Sequence, residues 1–353
     1  MRATGETEGG GRLKCLCDSV SAARKVWVVL HNSPDPDAMA AGMVLKSVLQ
    51  NRCGAEVSIV YAGIIGRPDN RIMQERLRIK MEHMSTVDAG PEDVFISVDT
   101  QPSFTNNSLP ENAAVAAVID HHPESENIRA AHVDIRPEVG AVTTIAMEYY
   151  GAAGLELNRR IATAVAYAII SETQDLGRSV SSADLRTYMS VLERADHVLI
   201  GQMRHPRVER RFFRTLAAAL QSAELCESAI ICHLQRVHAP DELARVADIL
   251  NPLAGASWVL CTGQHDTTML LNIRSSDPDA VADRVMDRVL GGRGSGGGHD
   301  MMAGGHIEFE GEEDASEVRQ GVTERFLEAL GVDRDASIGP LLDPPPEEMI
   351  PSD

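Results

Sequence analysis

Short runs of β-branched and aliphatic residues alternate with stretches of helical periodicity through the first half of this chain. Lys25 to Leu30, Glu56 to Tyr61, Val94 to Val98 and Ala114 to Ile119 are continuous apolar runs of strand length. Such runs mark strands buried on both faces. Ala38 to Gln50, 141–152 and 158–171 place their apolar residues at helical spacing. Strands alternating with helices predict an α/β fold with a parallel sheet and helices on both faces. In such sheets ligands bind beyond the carboxyl ends of the strands. His31, Asp99 and Asp120 each stand where an apolar run ends.

From 177 to about 225 the pattern is helical and polar. A second, smaller α/β unit then begins, with strands over Ala229 to Leu234, Trp258 to Cys261 and Thr267 to Ile273 and a helix over Asp279 to Val289. A glycine-rich loop is expected at 291–298, then a strand from His306 to Glu310 and a helix over 315–330. The expected organisation is a flexible tail at 1–19, a parallel-sheet domain at 20–200, a helical linker at 201–226, a smaller α/β domain at 227–332 and an acidic disordered tail at 333–353. An active site is expected in the cleft between the two domains. Met203 to Arg214 is locally basic, with Arg204, Arg207, Arg210, Arg211 and Arg214 around Phe212 and Phe213. It reads as the solvated face of a connecting helix whose phenylalanines pack inward, and a nucleic-acid contact is the alternative.

Composition narrows the function classes. At 353 residues with 43% hydrophobic side chains the chain builds real cores, and two domains are the better expectation. Aromatic residues are only 4%, so packing rests on Ala, Val, Leu, Ile and Met. A net charge of −19 argues against a protein that coats long duplex DNA, which needs a basic stripe along the phosphates. A short phosphorylated substrate remains compatible, because bound cations reverse the field inside one cleft. The six cysteines are scattered, with no second pair at zinc spacing after Cys15 and Cys17, and read as reduced thiols. No run reaches the length of a membrane span, and the N-terminus lacks the apolar core of a signal peptide. No membrane partner and a cytoplasmic location are expected.

The polar residues at the strand ends carry the chemistry. His31-Asn32-Ser33-Pro34-Asp35-Pro36-Asp37 holds two carboxylates on a stiff turn between a strand and a helix, with Asp37 where an N-cap would sit. Asp99 adds a carboxylate at another strand end, and Asp120-His121-His122 follows a third. Ser171-Glu172-Thr173-Gln174-Asp175 closes an apolar helix. Each alone reads as a turn, a cap or an ordinary helix end. Together, several carboxylates and histidines would repel one another and any phosphate unless dications lay among them. Mixed oxygen and imidazole donors suit Mn²⁺, with Mg²⁺ and Co²⁺ as alternatives. In the second half, Arg274 offers a planar fork for phosphate. Gly297 and Gly298 would let backbone N–H groups approach an anion as a nest, and His299 could donate to the same group.

This motif order resembles the DHH-family phosphoesterases that carry the DHH-associated C-terminal domain, the RecJ-like group. It is most similar to stand-alone members acting on short oligonucleotides and 3′-phosphoadenosine 5′-phosphate. The residues are His31-x3-Asp35-x-Asp37, Asp99, Asp120-His121-His122, then Asn272-Ile273-Arg274-Ser275 and Gly296-Gly297-Gly298-His299. The resemblance implies a two-Mn²⁺ site: His31, Asp35 and Asp99 on one ion; Asp37, Asp99 and His121 on the other, with Asp99 bridging. It implies His122 as the group that contacts phosphate or transfers a proton, with Asp120 orienting a histidine. Where the family has Asp before Thr, this chain has Glu172-Thr173; Glu172 is the expected ligand and Asp175 the alternative. Arg274, Gly297, Gly298 and His299 are implied in substrate binding. The implied activity is hydrolysis of short oligonucleotides or nucleotide phosphates. A cyclic dinucleotide phosphodiesterase and a non-catalytic nucleotide-binding protein are the alternatives, and a homodimer is compatible with either. The C-terminal glycine signature points away from family II inorganic pyrophosphatases.

Overall fold

The computed structural model describes residues 3–342 except 239, 278, 300 and 334, with the side chains of 3–8, 299, 312 and 313 left out. The chain divides into two compact units, with the boundary in the sequence between Arg207 and Val208. The first unit runs α1 (Ala3–Val20), β1 (Val26–Leu30), α2 (Pro36–Val48), β2 (Val57–Tyr61), α3 (Pro68–Arg76), β3 (Met81–His83), β4 (Val94–Val98), β5 (Val115–Asp120), β6 (His132–Ile135), α4 (Val142–Ala152), α5 (Arg159–Glu172), α6 (Ser182–Leu192) and α7 (His197–Arg204). Its six strands form a parallel sheet in the order β3-β2-β1-β4-β5-β6. The order reverses between β1 and β4, so their carboxyl ends carry His31 and Asp99 to a switch point, the place where open α/β sheets bind ligands.

The expectation of helices on both faces is corrected. Strand residues alternate in direction. Val26, Val28 and Leu30 pack into one large core with α1, α2, α4 and α5. Trp27, Val29, Val60 and Phe95 face the other way and are covered by Met84, Val87, Leu109 and Ala113 from connecting segments. Those four loop residues are enough to bury a narrow second layer, so the apolar run of β1 is doubly buried without a second helical layer.

The expected flexible tail at 1–19 is also corrected, because α1 occupies it. Leu16 and Val20 are buried, and Leu13 packs against the same core. Arg12 pairs with Glu148 at 3.1 Å, within a network in which Arg136 also holds Glu148 at 2.7 Å and grips Asp134 with two hydrogen bonds. Cys17 is disulfide-bonded to Cys53, with 5.1 Å between their Cα atoms, so the expectation that every cysteine is a free thiol fails for this pair. Cys15, Cys226, Cys232 and Cys261 are free.

The second unit runs α8 (Arg210–Ser222), β7 (Ala223–Cys226), β8 (Ala229–Leu234), α9 (Pro240–Leu250), β9 (Trp258–His265), β10 (Thr268–Ser275), α10 (Ala282–Leu290), β11 (Ser295–His299), β12 (Met302–Glu308), α11 (Gly311–Ala329) and β13 (Gly339–Pro340). Its mixed sheet has the order β11-β12-β10-β9-β8-β7-β13, with β8 and β9 parallel and the other pairs antiparallel. The glycine segment expected as a loop is in part an edge strand: Gly296, Gly297 and Gly298 pair with Gly305, Gly304 and Ala303. The strand expected from His306 therefore begins earlier, at Met302. The backbone packing is tight, since a Cβ on Gly298 would lie 2.2 Å from the Met302 carbonyl oxygen. Part of the expected acidic tail is ordered too, because Gly339 and Pro340 pair with Leu225 and Glu224. Residues 343–353 of that expected tail lie outside the described residues. Of the expected inward-facing phenylalanines, Phe212 is buried and Phe213 is exposed.

Candidate metal centre

Local geometry first explains why the strand ends converge. Asp35, not Asp37, caps α2: its Oδ1 accepts from the N–H groups of Asp37 and Ala38 at 2.9 and 3.0 Å, with Pro36 at the first helical position. Proline there supplies the helical φ and needs no donor partner, which moves the cap one residue ahead of it. The preceding turn is pinned by Ser33, whose φ is 57° and whose Oγ accepts from Ile64. Gly63 makes that approach feasible, since a Cβ on it would come 2.5 Å from the Ser33 Oγ.

Asp99 lies just past β4 in the left-handed region, at φ 59°, and is buried. A non-glycine residue held there stores strain and is a frequent mark of a functional position. Its Oδ1 is buried without a hydrogen-bond partner among the described residues. Around it stand His121 Nε2, 3.3 Å from Oδ1, and His31 Nε2, 3.7 Å from Oδ2 and 3.6 Å from Asp35 Oδ1. Each of these rings uses its other nitrogen on backbone: His31 Nδ1 meets the Asn32 carbonyl at 2.9 Å, and His121 Nδ1 meets that of Val139 at 3.2 Å. Donation from Nδ1–H leaves Nε2 with its lone pair facing the carboxylates, the arrangement by which proteins orient ligating histidines.

The structure thus gathers two groups able to hold a cation, His31–Asp35–Asp99 and Asp99–His121–His122, which share Asp99. Facing atoms separated by 3.3–3.8 Å are too distant for good hydrogen bonds. Donors held about 2.1 Å from one octahedral ion lie roughly 3 Å apart, so the spacing and the orphaned Asp99 oxygen both fit a dication.

Asp37 stands outside these groups. Its two carboxylate oxygens accept from the backbone N–H groups of Val142 and Thr143 at 2.7 and 2.9 Å, at the N-terminus of α4. Each oxygen retains acceptor capacity, and Asp37 stays within electrostatic reach of Asp99, Glu172 and Asp35. Glu172 ends α5 within the same field, whereas Asp175 is exposed and pairs with Arg204 at 2.5 Å. Of the two residues considered for the fourth position, Glu172 is the one the structure brings toward the cluster.

Electrostatics show a centre short of positive charge. Burial penalises a charged His31 ring, yet the nearby carboxylate of Asp35 and then the charge of Asp99 push it up to about 10. His121 is likewise raised, because Asp99, Asp37 and Glu172 overcome the cost of burial. Burial and the charge of Asp35 push Glu172 up to about 7, and burial with the charges of Asp99, Glu172 and Asp35 raises Asp37. Protons gather where the carboxylates crowd, and cations of higher charge serve the same need.

Two features escaped the sequence reading. Gln101, fully buried, donates from Nε2 to Asp120 Oδ2 at 2.8 Å and to the Pro123 carbonyl at 3.0 Å, while its Oε1 accepts from Ser125 N–H. Asp120 in turn holds His122 Nδ1 at 2.8 Å with Oδ1, the orienting contact that was expected of it. The second is Asp184, which accepts from Gly140 N–H, the Thr144 hydroxyl and Ser181, and so fixes the turn from which α4 presents its N–H groups to Asp37. No short-range pattern marks Gln101 or Asp184; only Gly140, ahead of an apolar helix, hinted at a close approach.

In the second unit Arg274 is buried and committed: Nε donates to Asp248 at 2.6 Å and Nη1 to the Ile273 carbonyl at 3.0 Å. Gly297 and Gly298 are extended strand residues, so the expected nest is corrected; the left-handed glycines of this segment are Gly291, Gly292 and Gly294. The side chain of His299 lies outside the described residues.

Residues 25–169 match the DHH family, N-terminal domain, and residues 227–328 match the DHHA1 domain. The chain belongs to the DHH family. An uncharacterized protein of Methanocaldococcus jannaschii is 28% identical over 334 residues, covering 91% of this chain and 68% of that protein. A probable manganese-dependent inorganic pyrophosphatase of Staphylococcus saprophyticus is 25% identical over 180 residues, 46% of this chain and 58% of the pyrophosphatase. Among solved structures, an exopolyphosphatase-related protein from Bacteroides fragilis shares the fold, with a TM-score of 0.67 at 15% identity over 91% of this chain and 98% of that one. Among the described residues no helix is long and apolar enough to cross a membrane.

Proposed function

We propose that this DHH-family chain is a Mn²⁺-dependent phosphoesterase that hydrolyses short oligonucleotides or nucleotide phosphates such as 3′-phosphoadenosine 5′-phosphate. The observation that carries the reading is Asp99: a buried, left-handed carboxylate between the Nε2 atoms of His31 and His121, with one oxygen left without a hydrogen bond among the described residues. His31, Asp35 and Asp99 would hold one ion, and Asp99 with His121 a second, with Asp37 and Glu172 contributing charge or ligation. Bound there, the pair supplies an activated water and charge neutralisation at the phosphoryl oxygens.

The remaining work falls to side chains of the chain itself. Asp120 fixes the ring of His122 through Nδ1, which makes Nε2 the atom that meets a phosphate oxygen or delivers a proton to the departing one. Burial opposes a charged His122, but the hydrogen bond to Asp120 and the charge of Asp99 raise it. Gln101 keeps Asp120 from turning away. The nucleotide preference rests on the DHHA1 domain at 227–328 and on Arg274, to which we assign the substrate's remaining phosphate. Purified protein with Mn²⁺ should hydrolyse a 5′-labelled dinucleotide or phosphoadenosine phosphate faster than pyrophosphate or cyclic di-AMP. A preference for pyrophosphate would reverse the assignment of substrate.

A further inference from the structure

The basic segment before and within α8 has no part in the metal centre, and its structure is not that of an ordinary solvated helix. Arg210, Phe213, Arg214 and Ala217 stand at i, i+3, i+4 and i+7, so they share one face of α8, and all four are exposed. The opposite face is committed to the fold: Phe212 is buried in the core of the second unit, with the Arg245 guanidinium 4.4 Å from its ring centre. Arg211 pairs with Glu209 and Glu242 at 3.3 and 3.2 Å. The guanidinium groups of Arg210 and Arg214, by contrast, make no ion pair or hydrogen bond among the described residues. Between them lies Phe213, 59% exposed and the one aromatic ring among the large apolar side chains left in solvent in the described residues.

This combination is unusual for this chain. Acidic residues outnumber basic ones by 52 to 33, and aromatics are 4% of the sequence. Two cations unneutralised on either side of an uncovered ring therefore run against both biases. The arginines are about 6 Å apart along the helix axis, four residues at helical rise, with the ring between them. A flat apolar ring flanked by guanidinium groups meets both parts of a single-stranded nucleic acid, since any base stacks on the ring and the backbone phosphates meet the cations. An acidic peptide would use the charges but leave the ring without a function.

We infer that the exposed face of α8, Arg210–Phe213–Arg214, is a contact for single-stranded oligonucleotides, made by residues that take no part in the metal centre. The inference rests on the nucleotide reading of the metal centre and extends it from nucleotide phosphates to strands. Stacking on one ring is expected to change affinity by roughly 5- to 150-fold, and each arginine–phosphate contact to add about 0.7 to the salt slope.

The test is fluorescence anisotropy with the full chain in Mn²⁺ and a labelled phosphorothioate 12-mer, which keeps its charge and resists cleavage. Phe213→Ala should weaken binding at least fivefold. Arg210→Gln with Arg214→Gln should weaken it further and lower the slope of log affinity against log salt by about 1.4. Arg284→Gln with Arg288→Gln on α10 makes the same change in net charge elsewhere and should leave affinity and slope unaltered. Equal loss in the α10 pair, or no loss in the α8 variants, overturns the inference. So does a change in sedimentation without a change in affinity, which would assign the face to a second copy of this chain. Dinucleotide hydrolysis by the unaltered chain separates the two readings. Hydrolysis with unaffected 12-mer binding in the α8 variants removes the inference alone; tight 12-mer binding that depends on α8, without hydrolysis of any nucleotide, removes the catalytic reading alone.

Discussion

Asp99 turns its carboxylate toward His121, whose Nε2 lies 3.3 Å from Oδ1, an oxygen that is buried and has no hydrogen-bond partner among the described residues. The backbone that makes this approach is itself strained, at φ 59°. Leaving a buried carboxylate oxygen unpaired is expensive, and here two imidazoles stand around the same carboxylate. Asp99→Asn keeps the shape and tolerates the left-handed conformation, because Asn is among the residues that visit it readily. Turnover should fall by at least about a thousandfold, as expected for removing a charge that acts on the transition state, while the melting temperature stays close to that of the unaltered chain. Near-normal turnover in Asp99→Asn would remove Asp99 from the centre.

Gln101 acts on the chemistry through two intermediaries, Asp120 and His122. Replacement by Leu leaves the buried Asp120 Oδ2 without that donor and loosens the ring of His122. The expected result is a 10- to 100-fold fall in kcat with little change in KM and an unchanged Mn²⁺ content, with partial recovery in Gln101→Asn. A matching loss of bound metal would instead make Gln101 part of the metal scaffold.

Much of this was legible in the sequence, and the failures share a cause. β1, β2, β4 and β5 are runs whose side chains are apolar on both faces, so they announce themselves. β3 is three residues with a polar centre, and β6 interleaves His132 and Asp134, whose burial is satisfied by Tyr149, 15 or more residues away, and by Arg136 just past the strand. The glycine segment carries no side-chain pattern at all; its pairing with β12 comes from backbone alone. The candidate ligands were visible as polar residues at strand ends. What holds them was not, because Asp37 is anchored by the N-terminus of α4 more than 100 residues away and Asp120 by a glutamine in a loop.

Arg274 gives a prediction in which metal and substrate part company. Asp248 holds its Nε, and Arg274→Ala removes the whole fork. Mn²⁺ content should stay intact while kcat/KM for nucleotides falls about 10- to 150-fold, the range for losing charge-assisted hydrogen bonds. An unchanged kcat/KM would mean that Arg274 serves the fold of its own unit only.

His233 makes the second unit sensitive to acid. Burial, with the charge of Arg319, pulls its ring down to about 4, and both nitrogens meet hydroxyls, Thr262 Oγ1 at 2.6 Å and Thr323 Oγ1 at 2.8 Å. The folded value is below the ordinary 6.5, so protonation favours the unfolded chain. The contribution is fully present above pH 6.5, is lost as pH falls toward 4, and amounts to about 3 kcal/mol at most. Denaturation midpoints measured from pH 7 to 4 should decline less steeply in His233→Gln, by about one proton. Identical slopes would mean that His233 titrates alike in both states.

The central claim is that the cluster around Asp99 works only with cations in it. Protein stripped with a chelator and dialysed should hydrolyse a 5′-labelled dinucleotide at background rate, and adding back Mn²⁺ should restore turnover with two equivalents bound per chain. Full turnover by the stripped protein, or Mn²⁺ binding without any return of hydrolysis, would contradict the account.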